Sequence, residues 1–319
     1  MYYQVLRILA DGQIHSAKQL INQLALSSIA ELELAISTLF DLGIKFYSPR
    51  ADTYQLISTL ELLDRSCILA ALPVNNQQRL ALLEIHSVLD STNQYVLAQQ
   101  HQVVPYVCLA EYQTAGRGRQ GRQWISPYGS GLCLSIKQYY ETINKSLTGL
   151  NIALAVTVVR VLSLIGATEV GLKWPNDILW RGHKLAGLLL ETRYKKGCEI
   201  VIGIGINVKS PPISKNTITQ PWVDLYTILG QPISRNVLAA MLIDHCLQTL
   251  IIYPQVGLTA FLDDWHNFDL SYGQTVTLSK QAEVITGTAW GIDDEEGSLL
   301  LQVGNEKRRF VCGEVSLRL

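Results

Sequence analysis

Residues 116–124 read Gly-Arg-Gly-Arg-Gln-Gly-Arg-Gln-Trp, three glycines and three arginines alternating up to Arg122, with a tryptophan two residues on. Glycine tolerates backbone angles closed to other residues and lets the main chain approach a ligand closely. Arginine presents a planar, permanently charged fork of donors that matches a carboxylate or phosphate. Together they make a segment that is cationic and mobile when empty and able to wrap an anion. Arg-Gly repeats also occur in disordered RNA-binding tails, and the nine residues alone do not separate the two. The flanks favour a binding site: apolar runs at 106–110 (YVCLA) and 131–136 (GLCLSI) read as strands of a folded domain.

Outward from the loop, residues 66–270 alternate helical and strand-like patterns. Ser91, Thr92 and Asn93 can cap a helix running to about residue 100, and a long helix covers 147–165. Strands are predicted at 170–173, 184–191 and 199–206, then helices at 234–253 and 258–266. This is a mixed α/β domain with room for a buried site. Residues 1–65 give a helix at 2–9, a turn at Asp11-Gly12, a helix at 16–24 and another from Ile29 to the stop at Gly43. Short strands follow at 44–47 and 53–57, the plan of a winged helix-turn-helix. From residue 271, strands at 275–278, 284–292, 298–303 and 309–317, with turns at Lys280-Gln281, 293–297 and Gly304-Asn305, predict a small barrel or sandwich. The expected whole is an α+β multidomain chain divided 1–65, 66–270 and 271–319.

Composition sets limits. The 319 residues exceed one ordinary core, and 48% hydrophobic with 17% charged excludes a disordered chain. A net charge of −1 gives no global attraction to nucleic acid or anionic membranes. No secretory-signal pattern opens the chain. The longest apolar run, 152–165, contains Arg160 and is too short for a bilayer, so it reads as a buried helix. A cytoplasmic protein without a membrane partner is expected. The six cysteines (67, 108, 133, 198, 246 and 312) form no CxxC pair and are neither a disulfide framework nor a zinc site. Four of them sit in apolar runs and read as inert core.

Four more segments carry polar groups to places where α/β sheets present ligands. Pro175 forces a turn in Lys173-Trp174-Pro175-Asn176-Asp177, which would present Lys173, Asn176 and Asp177 at a strand end. Lys184 puts a cation at the mouth of the buried run 184–191. The run Gly203-Ile204-Gly205-Ile206-Asn207 closes a strand with glycines, and Asp90-Ser91-Thr92-Asn93 offers hydroxyls and an amide at a helix start. Singly, each has a plainer reading: a helix cap, a solvated lysine, a turn-capping aspartate, a bent strand.

In this order the five segments resemble the biotin protein ligases, including the bacterial type that is also a biotin-operon repressor, and the resemblance covers nearly the whole chain. It implies a winged helix, a ligase domain and an SH3-like barrel. It implies that Ser91, Thr92, Asn93 and Gln113 grip the ureido ring of biotin. Arg117, Gly118, Arg119 and Arg122 would close over carboxylate and phosphate, with Lys184 beside the adenylate bond. Arg119, Lys184 and Arg122 are then the expected catalytic groups. Lys173, Asn176 and Asn207 would serve the nucleotide, Asp177 a magnesium ion, and Trp222 would stack on adenine. Trp124 either joins the nucleotide's neighbours or packs beneath the loop. ATP and biotin are the implied substrates and Mg2+ the implied ion. The implied partner is the biotin carboxyl carrier protein of acetyl-CoA carboxylase, with homodimerisation on adenylate binding and operator DNA as further partners.

The N-terminal segment departs from the repressor pattern. The recognition-helix region 27–42 has Glu31, Glu33 and Asp41 but no lysine or arginine, and the wing at 49–54 lacks glycine. Phosphate neutralisation supplies most non-specific DNA affinity. Asn22, Gln23, Ser27 and Ser28 remain as candidate DNA contacts, and a structural or partner-binding module is the alternative.

Overall fold

The computed structural model describes residues 1–99, 103–142, 147–194, 196–211, 220–280, 283–311 and 316–318. The chain opens with α1 (Tyr2–Leu9), β1 (His15–Ser16), α2 (Ala17–Leu24), α3 (Ile29–Asp41), β2 (Phe46–Tyr47) and β3 (Thr53–Leu56). Ser16 caps α2 in a reciprocal capping box with Gln19, and Ala25 ends that helix in the left-handed region. The chain bends by 99° between α2 and α3. The sheet order is β1-β3-β2, all antiparallel; β1, two residues long, carries no sequence signal of its own.

Next come α4 (Arg65–Ala71), α5 (Val74–Arg79), β4 (Leu82–Leu89), α6 (Thr92–Ala98), β5 (Tyr106–Gln113) and β6 (Gly131–Tyr140). They are followed by α7 (Leu150–Leu164), β7 (Val170–Lys173), β8 (Asp177–Trp180), β9 (His183–Tyr194), β10 (Cys198–Asn207), α8 (Leu225–Leu229), α9 (Arg235–Val256) and α10 (Leu262–Phe268). The seven strands order as β4-β5-β6-β10-β9-β8-β7, with only the β4–β5 pair parallel. α7 and α9 pack together on one face, where Leu132, Leu134, Ile136, Ile200, Ile202 and Ile204 join their core. α9 is long and apolar enough to cross a bilayer by composition, yet Leu238, Leu242, Leu247 and Leu250 on it are core residues. The other face carries α6, whose Val96 and Leu97 pack on Tyr106, Cys108 and Val201.

The last sheet runs β14 (Glu306–Phe310), β13 (Leu299–Val303), β12 (Glu283–Ile292), β11 (Thr275–Lys280), β15 (Ser316–Arg318), all antiparallel. The single strand expected at 309–317 is thus two. Residues 306–310 pair with β13 across the Gly304-Asn305 turn, and 316–318 cross to the far side of β11. Asp64 caps α4 through Ser66 and Cys67, so this helix begins at Arg65. Strands β4 and β8 and helices α4 and α5 lacked a clear period in the sequence. Cys108, Cys133, Cys198 and Cys246 are buried as expected; Cys312, Gln281 and the helix end at Gln100 lie outside the described residues.

The first module is not tethered loosely. Its core of Leu6, Leu9, Leu32, Leu39 and Leu56 includes Tyr128, four residues beyond the arginine-glycine segment, and touches Val88 and Tyr112 of the large sheet. Behind it the strap 61–64 is fixed by a buried polar hub. Arg235 donates to Glu61 O (2.7 Å), Gly131 O (2.9 Å) and Glu111 Oε2 (2.8 Å). Glu111 Oε1 accepts from the Leu63 amide, and Asn236 Nδ2 donates to Leu62 O at 3.0 Å.

Candidate active site

Strand alternation builds the site's floor. On the α6 face of the large sheet, directly paired residues form cross-strand rows: Cys133–Gly205–Gly187, then Ser135–Gly203–Leu189, then Lys137–Val201–Glu191. Glycine in the first two rows is a spatial requirement. A Cβ at Gly205 would stand 2.5 Å from Trp124 Cε2, and one at Gly203 would stand 2.4 Å from Asn93 Oδ1. The missing side chains let Trp124 and the start of α6 settle onto the strands.

At one end of this floor Ser91 caps α6, which orients the next two residues. Gln113 Oε1 accepts from the Thr92 amide (2.8 Å) and hydroxyl (3.2 Å). Ser135 Oγ, fully buried, lies 2.7 Å from both Thr92 Oγ1 and Asn93 Oδ1. Asn93 Nδ2 donates to Leu189 O (3.1 Å) and Glu191 Oε2 (3.0 Å). Ser91 is thus a helix cap, and the same bonds fix Thr92 and Asn93 where they line the cleft. Burial pushes the Cys133 thiol up to about 11, so it lines the cleft as a neutral group.

The arginine-glycine segment crosses above the floor as a small hairpin. Trp124 N donates to Gly116 O (2.8 Å) and Gly118 N to Arg122 O (2.7 Å), with a 3₁₀ turn at Arg119–Gly121. Arg117 pairs with Glu191 at 3.0 Å, and Arg119 Nη1 donates to Asn176 Oδ1 at 3.3 Å. Trp124 slides beneath, its Nε1 buried without a hydrogen-bond partner among the described residues.

The far wall is the β7–β8 turn. Trp174 is buried and donates to Gly297 O at 2.9 Å, tying the turn to the C-terminal sheet. Asn176 is locked to Leu188 in both directions. Asp177, pinned by its pairing with Lys173 in the β7–β8 register, accepts Lys184 Nζ at 2.6 Å, with Lys173 Nζ at 4.0 Å. Lys184 Nζ also stands 5.8 Å from the centre of the Trp124 ring.

Thirteen of the residues expected at the site line this one cleft: Ser91, Thr92, Asn93, Gln113, Arg117, Gly118, Arg119, Arg122, Trp124, Lys173, Asn176, Asp177 and Lys184. Asn207 and Trp222 do not line it. Asn207 Nδ2 donates to Val223 O at 3.1 Å, and Trp222 bridges to the backbone of Lys184. They hold the segment before α8 at the rim. Gln23 is exposed on α2, away from the cleft. Ser27 and Ser28 are engaged with Glu31 at the start of α3. Sequence reasoning missed Ser135 and Glu191. Ser135 left a trace, a lone hydroxyl in the alternation Leu132-Cys133-Leu134-Ser135-Ile136.

What the cleft can do chemically follows from its inventory. It offers neutral donors and acceptors at one end, arginines overhead, and two lysines around one carboxylate at the other. No nucleophile–base pair is needed to bring two anionic reactants together; cations and fixed dipoles are.

The comparisons with known proteins agree with this geometry. Residues 85–207 match the biotin/lipoate A/B protein ligase family, and residues 272–318 match the biotin protein ligase C terminal domain. The bifunctional ligase/repressor BirA of Salmonella typhimurium is 36% identical over 98% of this chain and 96% of its own length. Its Escherichia coli counterpart is 35% identical over 99% and 96%. The structure of the Aquifex aeolicus biotin protein ligase in complex with biotin and ATP superposes with a TM-score of 0.66 at 27% identity, covering 74% of this chain and 98% of that one. The chain belongs to the biotin protein ligase family.

Proposed function

We infer that the protein is an ATP-dependent biotin protein ligase. Biotin's carboxylate attacks the α-phosphorus of ATP, the bond to the β-phosphate oxygen breaks, and biotinyl-5′-adenylate and pyrophosphate form. A carrier-protein lysine then attacks the acyl carbon and AMP leaves. One observation carries the reading: the neutral cradle, the arginine hairpin and the lysine-flanked Asp177 line a single cleft.

In this reading Ser91, Thr92, Asn93 and Gln113 hold the ureido ring. Arg117, Gly118 and Arg119 cover the carboxylate, and Lys184 serves the adenylate bond. Arg122, Lys173 and Asn176 serve the phosphates, while Asn207 positions the segment from which Trp222 stacks on adenine. Trp124, under the hairpin, packs against both ligands. Among the described residues Asp177 is the only carboxylate lining the cleft, and no trio of His, Cys, Asp or Glu that could hold a metal occurs. One carboxylate fits a magnesium ion that would be brought by the nucleotide rather than held by a protein cage, with Asp177 as the residue that would hold it. Bound there, it would neutralise phosphate charge. The test is biotin-dependent pyrophosphate release from ATP; release that ignores biotin overturns the assignment.

The lid role of Arg119 has a sharp consequence. Arg119→Gly is expected to let biotinyl-adenylate escape, so that bystander lysines become labelled. Retention of the intermediate at the parent's level, measured by rapid filtration, would contradict it.

The domain plan we infer is a winged helix-turn-helix, a catalytic domain and an SH3-like barrel, divided near 65 and 271. The 99° bend between α2 and α3 and the β2–β3 hairpin support the first. The acceptor is a biotin carboxyl carrier protein, and dimerisation on adenylate binding would pair two such chains. The relatives' names include repressor, which favours a second reading as a biotin-operon repressor. The side chains here argue for weak operator binding. α3 exposes Ile29, Leu34 and Phe40, and Ser27 and Ser28 just ahead of it are bonded to Glu31. Each phosphate contact adds about 0.9 to the salt slope, so a shallow slope is expected in an operator titration. Tight, steeply salt-dependent binding would contradict it.

A further inference from the structure

We propose that Glu191 is a positioning residue for the ligase reaction, a latch that fixes the arginine hairpin and the biotin-end cradle at once. The proposal rests on the ligase reading above. Glu191 does not line the cleft. It stands on β9 one row beyond Leu189 and Gly203, at the edge of the floor. One carboxylate reaches two parts of the site. Oε1 accepts from Arg117 Nη2 at 3.0 Å, and Oε2 accepts from Arg117 Nη1 at 3.4 Å and from Asn93 Nδ2 at 3.0 Å.

Two consequences follow from that geometry. Asn93 has two amide hydrogens, and both are used, one on Leu189 O and one on Glu191. Its carbonyl oxygen is therefore turned toward Ser135 and the floor, in a fixed orientation. Arg117, for its part, pairs through its backbone with Gln123 across the two legs of the hairpin. Fixing its guanidinium ties down the base of the whole lid, from Gly116 to Trp124. A forked arginine–carboxylate pair is directional as well as attractive, so it sets where the lid closes. The pair is half exposed on the arginine side and about one-quarter exposed on the glutamate side, 44% and 23%, so added salt should weaken it.

The test uses the full chain with biotin, ATP and a carrier domain. Glu191→Gln keeps an amide oxygen for Asn93 and removes the charge that holds Arg117. Escape of biotinyl-adenylate should rise about 1.5- to 5-fold at low salt, the range of a partly exposed ion pair. KM for biotin should rise more than kcat falls. Escape from the parent should quicken with salt more steeply than escape from Glu191→Gln, which has already lost this pair. On an Arg117→Ala background the second change should add nothing, since the partner is already gone. A biotin-competent parent whose Glu191→Gln form retains the intermediate normally, or whose two changes simply add, overturns the latch alone. A parent chain that releases no pyrophosphate with biotin overturns the ligase reading and the latch with it.

Discussion

Lys184→Ala is expected to slow biotin-dependent adenylation by about 10²–10³-fold, the cost of losing one positioned charge-stabilising group. The ammonium is held 2.6 Å from Asp177 and over the Trp124 ring, so its place is fixed before the phosphate arrives. The substitution should leave the local fold standing. Lys184 holds the rim segment through its backbone, donating its amide to Pro221 O at 2.8 Å and accepting from Val223 N at 3.0 Å. Those bonds do not need the side chain. Pyrophosphate release at the parent's rate would return Lys184 to the role of a surface lysine.

Arg235→Leu is expected to destabilise the protein by about 3–5 kcal/mol, the range for stranding one member of a buried ion pair. Glu111 is 1% exposed, and the substitution would leave its carboxylate with the Leu63 amide but no cation. The strap 61–64 would lose its anchor as well. Glu111→Leu on top of Arg235→Leu should recover part of the loss, because the stranded charge is then gone. Urea unfolding of the three proteins measures this. A single-variant loss under about 1 kcal/mol, the scale of an ordinary surface pair, would show that the hub is not what fixes the strap.

The parts of the site that are contiguous in sequence could be read from it. The hairpin at 116–124 and the turn at 173–177 each carry their chemistry within one local segment, where glycine, proline and charge leave a signature. Ser91–Asn93 could be read as a helix start, and Ser91 does cap α6. Ser135, Glu191 and the Arg235–Glu111 hub could not, because their partners are set by strand pairing and helix packing over long sequence separations. Asn207 and Trp222 resembled site residues by order along the chain, yet the fold puts them at the rim. In the last sheet, hydrophobic alternation gave the strands but not where one ended. The run 309–317 has no strong turn signal between its halves apart from Gly313. The helix α4 left little trace although Asp64 is an acceptable N-cap, because it is only seven residues long and offers too little period to read.

The most direct test of the ligase assignment is single-turnover transfer. The purified chain would be mixed with carboxyl-labelled biotin and ATP, then given a biotin carboxyl carrier domain and a copy of it with the acceptor lysine changed to arginine. Label should pass to the lysine-bearing carrier alone, only when ATP was present, with one AMP released per biotin transferred. Labelling of both carriers alike, or none on either, would contradict it.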